Sequence, residues 1–217
     1  MKIQLKTVKL NLLILLILSS FYGCYVKHNS SKETIIKETI KEVSNNNKCE
    51  IDVEFKNSNK LNLLVTQKIK QENDYSNGLL ILEIFEDLKN KGISNCTIKI
   101  ANKERKNSYI ELTPKGYVAI SNLKKRSNKY VRLLLNDNEK FYDLLSTQIK
   151  KSFKYSDFLK FIDGNLEKKY EEFGGFVYSN INSLDCFFFE WKEMKSNVVI
   201  GLIETDSLIY GIEFLKK

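Results

Sequence analysis

Histidine is almost missing from this chain. Its 217 residues include one, His28. Imidazole is the usual general base near neutral pH, and His28 sits in a polar N-terminal stretch. Ser-His-Asp and Cys-His catalysis and hydrolysis at a His-ligated zinc are therefore excluded. No Cys-x-x-Cys pair and no Cys/His zinc spacing occurs, so no metal is expected. The nine glycines are scattered and build no phosphate-cradling loop, and no cofactor is expected. Arginine is scarce too, with Arg105, Arg126 and Arg132 against 32 lysines. With no aromatic-flanked basic motif, that scarcity argues against nucleic acid as a partner. Proline occurs once, as Pro114. What abounds is Lys, with 22 Asn and 22 Ile. These residues share A/T-rich codons, so the bias reads as genome composition before it reads as function. Hydrophobic residues make up 42% of the chain, enough for a real core.

The first 24 residues carry an address. Lys2, Lys6 and Lys9 precede an apolar run, Leu10 to Leu18, broken only by Asn11. A membrane-spanning helix needs about 20 apolar residues, and this run ends well short, at Ser19, Ser20 and Gly23. A positive start, a short apolar core and small residues describe an export signal. The residues Phe21-Tyr22-Gly23-Cys24 then resemble the lipobox of bacterial lipoproteins, in a relaxed, spirochaete-like form with Phe21 where Leu is usual and Tyr22 where a small residue is usual. The resemblance is confined to the N-terminal segment. It implies cleavage between Gly23 and Cys24 and fatty acylation of Cys24, hence attachment to the outer membrane or cell surface by lipid. Removal of residues 1–23 takes three lysines with it and lowers the formal charge from +8 to +5.

Residues 24–48 read as a lipidated N-terminus and polar tether. Ile36, Ile40 and Val43 form one narrow stripe, a short amphipathic stem at best, and Ser44-Asn45-Asn46-Asn47 reads as linker. The folded body is expected over 49–217, as one domain with a subdivision conceivable near 151–156. Cys49, Ile51, Val53 and Phe55 alternate with Glu50, Asp52 and Glu54, a half-buried strand that forms a hairpin with 61–69. A helix is expected from about Ser76 to Lys91, closed by Gly92 and apolar on more than one side. Strands are expected at 96–100, 108–121 and 129–135, then helices at 138–152 and from Ser156 to a stop at Gly174-Gly175. Four closing strands near 175–179, 185–192, 197–204 and 207–214 have short connections and so form an antiparallel meander. The fold class is α+β: antiparallel sheet with about three helices on one side.

Candidate chemistry is sparse. Setting Cys24 aside, the chain holds Cys49, Cys96 and Cys186. An exported protein could join Cys49 to Cys96 if their strands were neighbours, and Lys99 would then face Glu50, Asp52 and Glu54; otherwise the three are buried thiols. Glu190, Glu204, Asp206 and Glu213 lie on or between the last strands, where a carboxylate pair could serve glycoside hydrolysis. Nothing in their spacing singles out a pair, so no catalytic residue is assigned. Lys124, Lys125, Arg126 and Lys129 form a basic cluster, read as a loop between strands and as an attraction for anionic partners. Lys150, Lys151 and Lys154 are read as a helix C-terminus, where cations are favourable. Phe187, Phe189 and Trp191 share one face of a strand and Cys186 and Phe188 the other, the pattern of a central core strand. The sequence therefore points to a non-enzymatic, membrane-anchored lipoprotein binding a macromolecule, either a protein or an acidic polysaccharide, at the cell surface. The alternative is a periplasm-facing accessory of envelope assembly or transport, and the least favoured reading is an exported carboxylate-dependent hydrolase.

Overall fold

The computed structural model describes residues 32–57, 59–67, 75–102, 109–167, 169–181, 184–193 and 195–216. Two four-stranded sheets organise them. The N-terminal sheet has the order β1-β2-β3-β4 and comprises Cys49–Asn57, Lys60–Gln67, Thr97–Asn102 and Tyr109–Leu112. The C-terminal sheet has the order β5-β6-β7-β8 and comprises Glu172–Ile181, Leu184–Lys192, Ser196–Ile203 and Ile209–Lys216. Six helices accompany the sheets among the described residues: α1 over 32–46, then α2 (Tyr75–Asn90), α3 (Pro114–Asn136), α4 (Asn138–Asp143), α5 (Thr147–Ser152) and α6 (Tyr155–Asp163). The fold is α+β with a C-terminal meander, as the alternation and short connections predict. One strand pair departs from the antiparallel rule. Strands β2 and β3 run parallel, with Leu61 opposite Ile98, because α2 carries the chain across between them.

Helix α2 is apolar nearly all round because both sheets cover it. Leu80, Ile81, Leu82, Ile84, Phe85 and Leu88 are all buried, and the helix packs on β5 as well as on β3 and β4. The seam with β5 is so close that it tolerates no side chain at Gly78, where an added Cβ would lie 2.0 Å from the Phe176 carbonyl oxygen. Gly175 faces the same helix. Its φ of +128° and the Tyr75 carbonyl beside it leave room only for glycine. Gly174-Gly175 is thus no helix stop. The pair lies inside β5, at a register shift opposite Glu190, and α6 ends earlier, at Gly164.

Three further expectations are corrected. The stem is part of the folded body: Ile36, Ile40 and Val43 are 1–2% exposed and join the main core, and Lys37 Nζ lies 5.5 Å over the Phe55 ring. Three apolar side chains in one helical stripe suffice once a sheet face is there to receive them, so the body includes this helix and does not begin at Cys49. The strands expected at 108–121 and 129–135 are the short β4 followed by the long α3. Thr113 caps that helix by accepting from the Gly116 N–H (3.0 Å), and Pro114 occupies the first turn, where its missing N–H costs nothing. The helix expected over 138–152 breaks into α4 and α5, because residues 144–146 leave helical geometry to hydrogen-bond Ile209 at the edge of β8. Its cap is Asp137, accepting from the Lys140 N–H.

The disulfide does not form. Cys49, Cys96 and Cys186 are three buried thiols. Cys49 pairs with Gln67 at one end of β2, while Thr97, next to Cys96, pairs with Lys60 at the other. The two thiols are therefore two strands apart and separated by roughly 20 Å along the strands, beyond any disulfide geometry. For the same reason Lys99 stands opposite Asn62 and Glu111, one strand removed from the acidic row of β1. Among the described residues no helix is long and apolar enough to cross a membrane.

Candidate functional site

Helix α3 concentrates the charge of the protein. Its 23 residues hold Lys115, Lys124, Lys125, Arg126, Lys129 and Arg132 and no acidic residue. The whole chain carries +8. Lys2, Lys6 and Lys9 account for three of these charges and α3 for six, so all other residues together come to −1. A Lys-rich composition alone would spread the excess over the surface.

The cluster expected in a loop, Lys124, Lys125, Arg126 and Lys129, lies mid-helix instead. Helical geometry then divides it, because successive residues point about 100° apart. Arg126 turns inward, where its guanidinium donates to the carbonyl oxygens of Ile203 and Asp206 at the β7–β8 turn. The Tyr130 hydroxyl donates to the Ser207 carbonyl (2.6 Å), and the Trp191 indole N–H to Ser127 Oγ (3.1 Å), so three contacts fasten α3 to the C-terminal sheet. Burial pushes the Tyr130 phenol above its ordinary pKa. Lys124 lies 4.3 Å over the Phe173 ring. Only Lys125 and Lys129 of the four are exposed, and the structure adds Arg132 to them at the next turn. These three stand at i, i+4 and i+7, one face of a helix. Lys115, Val118, Asn122 and Asn136 extend the same exposed stripe. The spacing was in the sequence; the strand assignment hid it.

The second basic cluster keeps its structural reading only in part, because Lys154 stands at the N-cap of α6 and not at a helix C-terminus. Lys150 and Lys151 close α5, and Lys150 Nζ donates to the Asp143 carbonyl (2.6 Å). The carboxylates do not converge. Glu190 is fully buried and its Oε1 accepts from Asn197 Nδ2 (2.8 Å). Asp206 holds the β7–β8 turn, accepting from the Leu208 N–H and the Tyr210 hydroxyl (2.8 and 2.6 Å). That bond, with Asp206 as sole acceptor, raises the Tyr210 pKa. Glu204 and Glu213 are exposed. Glu190 and Glu213 both flank Val199, which sets their backbones two strand spacings, about 10 Å, apart. A pocket of about 560 Å³ beside α5 and β8 is lined by Ile149, Phe153, Phe161, Ile203 and Ile212 among others, and none of the four carboxylates reaches it. Burial pushes the Cys96 and Cys186 thiols up to about 11, which disfavours the thiolate a nucleophile needs. Among the described residues no group of three His, Cys, Asp or Glu could hold a metal ion. Gly23, Cys24 and His28 lie outside the described residues.

No protein-family model, no curated protein and no solved structure matches this chain.

Proposed function

We propose that this chain is a non-enzymatic bacterial lipoprotein, held to the membrane through Cys24, whose folded body binds an acidic polysaccharide at the cell surface along α3. The observation that carries this reading is the concentration of positive charge on one helix, with Lys125, Lys129 and Arg132 exposed on one face and no acid among its 23 residues. From Lys115 to Arg132 the stripe covers about 25 Å, at 1.5 Å per residue. A straight row of cations suits a linear polyanion, and the exposed Asn122 and Asn136 add hydrogen-bonding groups to the same row. Unopposed charge of one sign raises the local concentration of such a partner and its association rate. The lipobox resemblance at Phe21-Tyr22-Gly23-Cys24 supports the anchor.

Two measurements test the reading. Replacing Cys24→Ala should move the protein from the membrane fraction to the soluble fraction; retention in the membrane would sink the lipid anchor. Binding of the purified protein to immobilised dextran sulfate should weaken as salt rises from 0.15 to 0.5 M, on the order of the screening expected for exposed charges. The triple variant Lys125→Glu, Lys129→Glu, Arg132→Glu should lose at least about tenfold in affinity. Lys151→Glu, Lys154→Glu, Lys195→Glu changes the net charge equally but should leave binding within about twofold. Equal losses in both would mean that net charge, and not this face, draws the polymer.

A further inference from the structure

We infer that the end of the N-terminal sheet where the chain enters the folded body is a docking surface for an anionic membrane. The inference rests on the Cys24 anchor and adds an orientation to it. The first described residue of α1 is Lys32, and seven residues, Tyr25 to Ser31, stand between it and Cys24. Seven residues span at most about 25 Å. A folded body of this size is about 40 Å across, so the leash is shorter than the object it holds. The body cannot turn every side to the bilayer, and the side nearest the leash stays close.

The register identifies that side. Lys32 Nζ donates to Asn59 Oδ1 (2.7 Å), which places Lys32 of α1 beside the β1–β2 turn. The Thr97 N–H donates to the Asn59 carbonyl (2.8 Å), bringing the start of β3 to the same place. Leu112 pairs with Ile98, so β4 ends there and α3 begins there. This pole presents Lys32, Lys56, Lys60 and Lys115, the last three exposed. Three acids stand nearby. Glu33 is exposed on α1, Glu111 is exposed on β4 opposite Lys99, and Glu54 pairs with Lys56 at 2.6 Å. Both members of that pair are more than half exposed to solvent, so the bond is weak and leaves the lysine open to a competing anion. The amino end of α3, a helix of 23 residues, lies at this pole and adds a positive dipole end. Charge at an anionic leaflet is felt within about one Debye length, some 8 Å in physiological salt. The leash keeps the pole near that range, so modest attraction at a high effective concentration is enough to seat it.

The test uses the processed full-length protein, purified from membranes and reconstituted into two kinds of vesicle: phosphatidylcholine alone, and phosphatidylcholine with one third phosphatidylglycerol. Lysines are footprinted with an amine-reactive reagent and read by mass spectrometry. Lys48 is the internal reference, since it adjoins Cys49 at the far end of the sheet, about 25 Å from the pole. Docking predicts that Lys56, Lys60 and Lys115 react at least about threefold more slowly on the anionic vesicles, with Lys48 unchanged, and that 0.5 M salt abolishes the difference. Protein that co-floats with both vesicles yet shows no protection at the pole overturns the docking surface and leaves the anchor standing. Protection at Lys125 and Lys129 in place of the pole also overturns it, and assigns the membrane to the α3 stripe. Protein that floats with neither vesicle, or carries no lipid on Cys24, removes the anchor and the docking surface with it.

Discussion

The two sheets have four strands each and are built from opposite sequence patterns. In the N-terminal sheet, β1 alternates strictly: Cys49, Ile51, Val53 and Phe55 turn inward while Glu50, Asp52, Glu54 and Lys56 are exposed. In the C-terminal sheet, β7 is buried at all eight positions. Alternation belongs to a sheet with one wet face, and a continuous apolar run to one covered on both. The difference assigns them different work. The outer face of the first sheet carries charge, and its end carries the lysine pole. The second sheet holds the largest fully buried side chains of the meander, Phe176 and Phe189, and anchors α3 through Arg126, Tyr130 and Trp191. The C-terminal half presents the cationic helix, and the N-terminal half carries the lysine pole.

If the halves are joined as described, breaking the joint should cost most. Gly78→Val drives a branched side chain into the Phe176 backbone, which the seam between α2 and β5 cannot absorb by rotating a side chain. We expect a loss of at least about 4 kcal/mol, the range reserved for severe core disruption, and no separate transition for either sheet. Urea unfolding followed by tryptophan emission, which reports Trp191 in the C-terminal sheet, and by far-ultraviolet circular dichroism checks both points. Two separated transitions in the parent protein would show that α2 does not couple the sheets.

The contrast itself predicts unequal penalties. Phe189→Ala removes a ring with no solvent exposure and should cost about 3–5 kcal/mol. Val53→Ala trims a half-buried residue of β1 and should cost about 1 kcal/mol. Equal losses in urea denaturation would contradict the assignment of the C-terminal sheet as the stability core.

How much of this was legible in the sequence follows the same divide. The period-two pattern from Cys49 to Phe55 located β1, and the short connections at 193–195 and 204–208 located the meander. Residues 114–136 were misread because their apolar positions, Ile120, Leu123, Tyr130, Val131 and Leu134, are diluted by lysine and asparagine and punctuated by β-branched residues. The decisive signs were local: a Thr-Pro start, and an apolar stripe at helical spacing. The stem was misjudged for a physical reason. Three buried side chains on an isolated helix predict little, and their value depends on the sheet face formed by residues farther along. The basic cluster was visible as composition, but which members reach solvent depends on helical phase. Gly174-Gly175 looked like a stop because a sequence cannot show that a helix 95 residues upstream lies against it.

The smallest expected effect tests whether the sheets are equally dry where each holds a thiol. Cys96 stands at the start of β3 and Cys186 on β6, and burial pushes both from an ordinary 9.0 up to about 11. Lys32 opposes the shift at Cys96, whereas no charge does so at Cys186. Below pH 9 folded and unfolded chains both hold these protons, and the thiols give stability no slope. Between pH 9 and 11 the unfolded chain ionises first, so stability falls as pH rises, by at most about 1.4 kcal/mol per pH unit for each thiol. Tyr130, Tyr170 and Tyr210 are also raised and push in the same direction, so the slope of the parent alone decides nothing. The informative quantity is the difference between the parent and Cys96→Ala or Cys186→Ala, measured by urea denaturation at pH 8, 9 and 10. Each substitution should flatten the slope above pH 9 and leave its shape below pH 9 unchanged. A flattening by Cys96→Ala alone would mean that water reaches β6, and that the C-terminal sheet is less closed than its all-buried neighbour β7 implies.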